Sequence, residues 1–308
     1  MSAAPSLPPL SPIAKLGLAA ADIKVAHSVF ALPFAVLGAF LARPVDGAWG
    51  RFAGQLGLIV VCMVLARTWA MLVNRLADVR IDAANPRTRR RVLASGRLSV
   101  RDGRAIAGGC ALAFVGACAV FWIAFANPWP VMLSVPVLAW IGFYSFTKRF
   151  TALCHVFLGG ALAASPIAAA IAVDPGAIGA TPALWFLAGM VVLWVAGFDV
   201  IYALQDVEFD KGTGLHSIPA AVGAGAAIWV SRALHAGAFA MLALAARGEA
   251  RFGVVFFAAV GMVGALLVTE HVILAKRGKA GLDMAFFTVN GVVSCVLGAA
   301  GVVDLTGV

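Results

Sequence analysis

Two short acidic segments, each beginning where a long apolar stretch ends, hold the side chains best suited to chemistry in this chain. Oxygen-bearing residues recur at every fourth position in both segments: Asn74, Asp78 and Asp82 in the first, and Tyr202, Asp206 and Asp210 in the second. A step of four residues overshoots one helical turn by about 40°, so we expect each set to share one helix face. Carboxylates at the edge of a bilayer are costly to desolvate and usually bind ions or substrates.

The arrangement of these acids favours a site for a divalent cation and a diphosphate. Mg²⁺ prefers oxygen ligands and is commonly held by one or two carboxylates together with substrate phosphates. Two facing acidic segments would hold two such ions, and the basic residues at 87–91 and 148–149 would add positive charge. Two alternatives stay open: the acids are solvated loop charges, or Arg89–Arg91 only anchor the topology by contacting anionic lipid.

The composition of the chain is typical of an integral membrane protein. Hydrophobic residues make up 62% of the 308 positions and charged residues 12%, whereas soluble chains contain roughly 45–50% and about 25%. We therefore predict an all-α, polytopic bundle of about nine transmembrane helices, because each crossing needs ~20 apolar residues. The candidate spans fall near residues 25–42, 54–73, 105–125, 130–146, 153–173, 183–203, 229–246, 252–275 and 284–303.

The domain division and the topology follow from these spans. Residues 1–24 are expected to form a disordered or peripheral N-terminal segment, and residues 25–308 a single transmembrane domain. A cytoplasmic N-terminus places most of the 23 Lys and Arg residues on the cytoplasmic side, as the positive-inside rule requires. Both acidic segments then lie on the cytoplasmic side, because four spans separate them. We expect a multi-pass protein of the inner (plasma) membrane, with no nucleic-acid partner.

At its acidic segments the chain resembles a known family, the UbiA superfamily of intramembrane prenyltransferases. Residues 87–88, which follow the first segment, carry the same resemblance. Residues 27–34, 144–150 and 197–219 are similar to the 4-hydroxybenzoate polyprenyltransferase branch of that superfamily. The chain departs from the family pattern at residues 91–96, where a proline usually follows the arginines, and this leaves the shape of one loop open.

The resemblance implies Mg²⁺-dependent transfer of a polyprenyl group from polyprenyl diphosphate to a ring carbon of an aromatic acceptor, surrounded by membrane lipid. Five ligands for Mg²⁺ are implied: Asn74, Asp78 and Asp82 for one ion, and Asp206 and Asp210 for the other. Substrate contacts are implied for Asn74, Arg67, Arg87, Tyr144, Lys148, Arg149 and Tyr202, with Arg87 and Lys148 on the diphosphate. Metal and cationic side chains stabilise the departing diphosphate, and a dry pocket protects the allylic cation from water.

Two charged residues inside the spans each have two interpretations. Asp199 lies seven residues before Asp206, so the two share a helix face to within about 20°. Arg67 lies seven residues before Asn74 and shares the face of the first segment in the same way. Asp199 is either a proton acceptor near the aromatic substrate or the partner of a buried cation. Arg67 either contacts the carboxylate of the acceptor or forms a structural ion pair.

Several functions are compatible with the sequence. The leading interpretation is prenylation of 4-hydroxybenzoate, or a similar carboxylated ring, in ubiquinone or menaquinone biosynthesis. Residues 286–291 also resemble the subgroup of the futalosine menaquinone route, whose acceptor would be 1,4-dihydroxy-6-naphthoate. A membrane transporter is the alternative from another class, but the acids lie on one side without a matched set on the other. A structural membrane subunit would leave both acidic segments unexplained.

Overall fold

The computed structural model describes residues 11–23, 30–282 and 284–307, and over these ranges the chain forms helices and no strands. In chain order the helices are α1 (Pro12–Asp22), α2 (Leu32–Leu41), α3 (Trp49–Ala77), α4 (Val79–Ala84), α5 (Val100–Phe125), α6 (Trp129–Thr147), α7 (Cys154–Val173), α8 (Ala177–Ala180), α9 (Pro182–Ala203), α10 (Val207–Thr213), α11 (Ile218–Val222), α12 (Ala224–Gly248), α13 (Val254–Arg277) and α14 (Asn290–Thr306). A π-helical turn, Met284–Val289, leads into α14.

The prediction of an all-α bundle of about nine membrane helices is confirmed. Eight helices in the described ranges are long and apolar enough to cross a membrane: α3, α5, α6, α7, α9, α12, α13 and the stretch Phe286–Thr306 that contains α14. Helix α2 is apolar but shorter, and it corresponds to the predicted span 25–42. Residues 25–29 of that span lie outside the described ranges.

The N-terminal helix α1 is joined to the bundle by an ion pair. Ser11 caps the helix by accepting a hydrogen bond from the backbone N–H of Ala14, as serine at this position commonly does. Lys15 pairs with Asp102 of α5 at 2.7 Å. Residues 1–10 lie outside the described ranges, and the division of the chain into two parts stays a prediction.

Helix α9 is the centre of the bundle and packs against α7 and α12. Trp194 of α9 is fully buried, and its indole N–H donates to Asn290 Oδ1 of α14 at 2.6 Å. Glycine permits close contact between α7 and α9, because a Cβ atom on Gly159 would lie 2.3 Å from the backbone oxygen of Val192. These contacts fix α9 and, with it, the second acidic segment at its C-terminal end.

Both acidic segments interrupt a helix at an aspartate, so that α3 is followed by α4 and α9 by α10. Asp78 and Asp206 precede the short helices with nearly the same backbone angles, φ −100° and ψ 7° for the first and φ −105° and ψ 5° for the second. The N–H of Asp82 donates to the C=O of Asp78 at 2.7 Å. The N–H of Asp210 donates to the C=O of Asp206 at 2.8 Å. The chain therefore builds a similar local joint twice, although one residue separates α3 from α4 and three residues separate α9 from α10.

Candidate functional site

A cavity of about 1080 Å³ lies between the helices beside both joints. The predicted site residues that line it are Arg67, Asn74, Asp78, Asp82, Arg87, Tyr144, Lys148, Asp199, Tyr202, Asp206 and Asp210. Arg149 is the one predicted site residue that does not line the cavity. The fold thus brings residues from both acidic segments and from three membrane helices to a single space.

Away from the acids the cavity wall is apolar. Aliphatic and aromatic side chains of α3, α5, α6 and α7 form it, among them Ile59, Phe114, Phe121, Leu133, Ile141 and Leu162. Phe198 of α9 and Phe286 complete the wall near the acids, with their ring centroids 5.2 Å apart. A wall of this kind binds hydrocarbon more readily than water.

Asp78 is buried at the end of α3 and is held by two cations from the end of α6. Its Oδ2 pairs with Lys148 Nζ, and its Oδ1 pairs with Arg149 Nη2 at 2.9 Å. Arg149 also donates to the backbone oxygen of Ala77 at 2.8 Å. Only 2% of the Asp78 side chain is exposed, and a buried carboxylate needs such compensation. Arg149 therefore supports an acid of the site, and its contact with substrate stays a prediction.

Asp82 is paired with Arg91, one of the arginines for which lipid contact is the alternative interpretation. Arg91 Nη1 donates to both carboxylate oxygens, at 2.8 and 2.9 Å, and the Thr88 hydroxyl donates to the backbone oxygen of Asp82 at 3.1 Å. The loop that lacks the usual proline turns at Gly96, whose φ of 76° suits glycine. Just before it, the N–H of Ser95 donates to the C=O of Arg91 at 2.9 Å. The loop therefore folds back over the first acidic segment.

Asp206 connects the two acidic segments, because its partners belong to the loop that follows the first one. Arg87 donates through Nε to Oδ1 at 3.0 Å and through Nη2 to Oδ2, and Asn85 Nδ2 donates to Oδ1 at 3.0 Å. Arg87 Nη1 also donates to the Tyr202 hydroxyl at 3.3 Å. Burial alone would raise the pKa of Asp206, but the hydrogen bonds and the charge of Arg87 hold that pKa below its ordinary value.

Asp210 differs from Asp206 because its carboxylate is bonded to a hydroxyl and to no cation among the described residues. The Ser217 hydroxyl donates to its Oδ2 at 2.8 Å. Ser217 also caps α11 by accepting from the N–H of Ala220 at 3.3 Å. Burial raises the pKa of Asp210, the Ser217 hydrogen bond opposes that rise, and the charge of Asp206 adds to it. A bound cation would therefore stabilise this carboxylate more than its neighbours.

Asp199 lines the cavity and is bonded to His155 of α7, a residue that lies outside the acidic segments. His155 Nδ1 lies 2.7 Å from Asp199 Oδ2, and His155 Nε2 accepts from the backbone N–H of Ile218 at 3.2 Å. His155 belongs to the predicted span 153–173, and an ionisable residue inside a membrane span is a sequence signal for function or pairing. Asn85 has no comparable signal, because its contact with the second segment depends on how the loop folds.

Arg67 of α3 lines the cavity and takes part in none of the ion pairs found among the described residues. The structural ion pair considered for it is therefore not observed in that part of the chain. Tyr144 lines the same cavity, and the Tyr202 ring packs against Phe286 with 4.2 Å between centroids. The Arg67 guanidinium is consequently available to an anionic group of a bound molecule.

The donor atoms beside the two joints fit Mg²⁺. A hard cation takes carboxylate and amide oxygens, and these are the donors of Asn74, Asp78, Asp82, Asp206 and Asp210. Among the described residues, no group of three or more His, Cys, Asp and Glu side chains is arranged to hold a metal ion by itself. Further oxygen ligands would come from a diphosphate, as is common for Mg²⁺.

Comparison with known sequences agrees with these features. The UbiA prenyltransferase family model matches residues 31–292. Relatives named 4-hydroxybenzoate octaprenyltransferase are 34% identical over 160 residues in Nitrosomonas europaea and 33% identical over 174 residues in Alcanivorax borkumensis. The alignments cover 52% and 55% of this chain and 52% and 57% of the relatives. The chain thus spans about half the length of the curated relatives it matches.

Solved structures share the fold. The apo structure of a UbiA homologue from Aeropyrum pernix K1 is 30% identical, with a TM-score of 0.79 over 91% of this chain and 98% of that chain. A UbiA homologue from Archaeoglobus fulgidus bound to GPP and Mg²⁺ is 18% identical, with a TM-score of 0.64 over 94% and 99%. The second likeness is one of fold alone. With a family match over most of its length and a related structure that it covers almost completely, the chain belongs to the UbiA prenyltransferase family.

Proposed function

We propose that this protein transfers a polyprenyl group from polyprenyl diphosphate to a ring carbon of a carboxylated aromatic acceptor, in a reaction that requires Mg²⁺. The observation that carries the proposal is a single cavity with charged residues at one end and an apolar remainder. A diphosphate suits the charged end and a hydrocarbon tail suits the apolar wall. Membership of the UbiA prenyltransferase family supports the same class of reaction.

The charged end of the cavity would bind the diphosphate together with its metal. We assign the Mg²⁺ ligands to Asn74, Asp78, Asp82, Asp206 and Asp210. Bound Mg²⁺ would neutralise the leaving diphosphate and weaken the bond that joins it to the prenyl carbon. Arg87 and Lys148 would donate to diphosphate oxygens, because both line the cavity and their side chains are 32% and 30% exposed. Positive charge would then lie beside the leaving group as negative charge develops on it.

The acceptor would bind between Arg67 and Asp199, further from the joints. The Arg67 guanidinium, which has no ion-pair partner in the described part of the chain, suits the carboxylate of the acceptor and can hold it through two parallel hydrogen bonds. The relatives named 4-hydroxybenzoate octaprenyltransferase support 4-hydroxybenzoate as this acceptor. Tyr202 and Phe286 border the same space, and 1,4-dihydroxy-6-naphthoate is the other carboxylated ring to compare there.

The proposal includes a location in the cell. We place the protein in the inner (plasma) membrane with its N-terminus and both acidic segments on the cytoplasmic side, because this orientation follows the positive-inside rule. The prenyl tail of substrate and product would then stay in membrane lipid. The product would be a lipid-soluble precursor of ubiquinone or menaquinone.

The test uses purified protein in detergent, radiolabelled polyprenyl diphosphate, Mg²⁺ and each of the two acceptors in turn. We expect a prenylated product from one acceptor, none after addition of EDTA, and recovery when Mg²⁺ is restored in excess. Absence of product with both acceptors would contradict the proposal. Flux of a solute across proteoliposomes without any covalent product would support the transporter alternative instead.

A further inference from the structure

His155 lies behind Asp199 in the wall of the cavity, where the proposed acceptor would bind. The residue is buried, with 2% of its surface exposed. Both ring nitrogens have partners, Asp199 Oδ2 at 2.7 Å from Nδ1 and the N–H of Ile218 at 3.2 Å from Nε2. The ring is therefore held in one orientation between helix α9 and the start of helix α11.

The two partners determine where the imidazole proton lies. A backbone N–H can only donate, so Nε2 of His155 must offer a lone pair to Ile218. The single N–H of a neutral imidazole then lies on Nδ1 and points to Asp199. Nδ1 of His155 therefore donates to Asp199 Oδ2, and the contact of Nε2 with Ile218 fixes the ring in this orientation.

The second oxygen of Asp199 remains available to a bound molecule. Oδ1 has no hydrogen-bond partner among the described residues, Asp199 lines the cavity, and 24% of its side chain is exposed. The other acids that line the cavity are engaged: Asp78, Asp82, Asp206 and Asp210 are the proposed metal ligands. Asp22 accepts from the N–H of Val92 at 2.9 Å, its Oδ2 lies 3.8 Å from Arg75 Nε, and only 7% of its side chain is exposed. Asp199 is consequently the carboxylate of this wall that can act as a base.

The segment that orients His155 also contacts the diphosphate end of the cavity. Ile218 follows Ser217, whose hydroxyl donates to Asp210 Oδ2 at 2.8 Å. His216, one residue earlier, donates its backbone N–H to the C=O of Lys148 at 2.7 Å. One short loop therefore holds a proposed metal ligand, a proposed diphosphate contact and the histidine behind Asp199.

We propose that His155 is a positioning residue that holds the Asp199 carboxylate directed into the cavity, so that Asp199 Oδ1 accepts the proton lost by the prenylated ring. This inference rests on the proposed function, because it assigns a step in the same reaction. His155 does not take up the ring proton itself, since the hydrogen bond from Ile218 occupies the Nε2 lone pair.

The bonds that change in this reaction lie at the prenyl carbon and at the attacked ring carbon. The electron pair of the bond between the prenyl carbon and oxygen leaves with diphosphate, and a π-electron pair of the ring forms the new carbon–carbon bond. The C–H bond at the attacked ring carbon then breaks, and its electron pair restores the aromatic ring. The proton moves to Asp199 Oδ1, which becomes a neutral carboxylic acid and later releases the proton to water.

The test compares turnover of an acceptor with hydrogen or deuterium on its ring, each at saturating concentration. In the wild-type protein we expect nearly equal rates, because proton removal by an oriented carboxylate is fast. In His155→Leu we expect a loss of turnover of about 100-fold together with a clear deuterium isotope effect, because proton removal becomes rate-limiting. Asp199→Asn should show the same isotope effect, and the double variant should lose little more than either single one.

Three further variants separate positioning from packing. His155→Gln keeps one donor and one acceptor, so it should recover most of the turnover lost in His155→Leu and show no isotope effect. His155→Met is the apolar replacement to use if leucine prevents folding. His271→Leu changes a half-buried histidine of α13 that does not line the cavity, and it should leave the isotope effect unchanged.

The outcomes are distinct. The apolar variants and Asp199→Asn could lose turnover while their isotope effect stays as small as that of the wild-type protein. That result would show that His155 and Asp199 only support the fold, and it would overturn this inference alone. Failure of the wild-type protein to make product with either acceptor would overturn the proposed function as well.

Discussion

The two acidic segments have similar backbone conformations at Asp78 and Asp206 but differ in how their charges are compensated. Asp78 and Asp82 of the first segment are 1% and 5% exposed, and each is paired with basic residues. In the second segment Asp206 is paired with Arg87, and 18% of its side chain is exposed. Asp210 has only a hydroxyl as its partner among the described residues. The acids of the first segment are thus buried and each paired with a basic residue, whereas those of the second segment are more exposed and less completely paired.

The difference indicates that the carboxylates of the first segment are held firmly in place, whereas those of the second can change partners more easily. A buried carboxylate with two cationic partners is held tightly, because loss of either partner leaves a charge without compensation. A half-buried carboxylate bonded to a serine can exchange that contact for a cation at little cost. Arg87 joins the two sides, since it comes from the first half and bonds to Asp206 of the second.

The largest expected effects come from replacing Asp78 or Asp206, the aspartate that precedes the short helix in each acidic segment. We expect Asp78→Ala and Asp206→Ala each to lose about 10³-fold in turnover, because each removes a proposed ligand of the Mg²⁺ that would stabilise the leaving group. Stability should separate them: Asp78→Ala should cost about 3 kcal/mol, since it leaves two cations without a partner, and Asp206→Ala about 1 kcal/mol. Thermal unfolding of the purified variants in one detergent measures both values. Equal losses of stability would show that the two segments are equivalent.

Arg87 offers a test of the contact between the segments. Arg87→Lys keeps the charge but cannot hold both oxygens of Asp206 in the same way, so we expect the KM for polyprenyl diphosphate to rise about 10-fold with a smaller change in kcat. Arg89→Ala is the matched control, because Arg89 is an exposed arginine two residues away. An effect of Arg89→Ala on the KM together with none of Arg87→Lys would indicate that only the net charge of this loop matters.

The smallest expected effect is a difference in pH dependence between Asp206 and Asp210. The pKa of Asp206 is lowered in the folded protein, so its contribution to stability is present above the pKa of the unfolded chain and is lost as pH falls through the folded pKa. The pKa of Asp210 is raised, so its ionised form is disfavoured by folding, and protonation on lowering the pH relieves this. Near pH 7, Asp206→Asn should therefore destabilise the protein by about 1 kcal/mol, whereas Asp210→Asn should be neutral or stabilising.

Unfolding temperatures of the two variants and of the wild-type protein, recorded from pH 7 downward without added metal, check these signs. The difference between wild type and Asp206→Asn should shrink as the pH falls, because the wild-type carboxylate becomes neutral. A loss of stability in Asp210→Asn at pH 7 would contradict the environment described for Asp210.

The membrane helices and the candidate site could largely be predicted from local patterns. Apolar length predicted the spans, including α12, whose N-terminal half contains Arg232 and His235. The four-residue spacing predicted which acids belong together, and the seven-residue offset placed Asp199 and Arg67 with them. These patterns are readable because hydrophobic length and helical period depend only on residues that are close in the chain.

The sequence did not predict the break in the helix at either acidic segment, because neither break contains a proline or glycine. The sequence also did not predict the conformation of the loop that covers the first acidic segment. It depends on Arg91 reaching back to Asp82 and on the positive φ of Gly96. Such contacts follow from the packing of the whole bundle, which local propensity does not encode.

Residue order alone therefore establishes a membrane bundle with two acidic joints, since both properties are local. Only the folded chain decides which partner faces which acid: Lys148 and Arg149 meet Asp78, Arg87 meets Asp206, and His155 meets Asp199. These partners lie far apart in the sequence, and charge alone would allow many other pairings. Helix packing around α9 selects among them, because it brings one set of side chains within hydrogen-bonding distance and keeps the others apart.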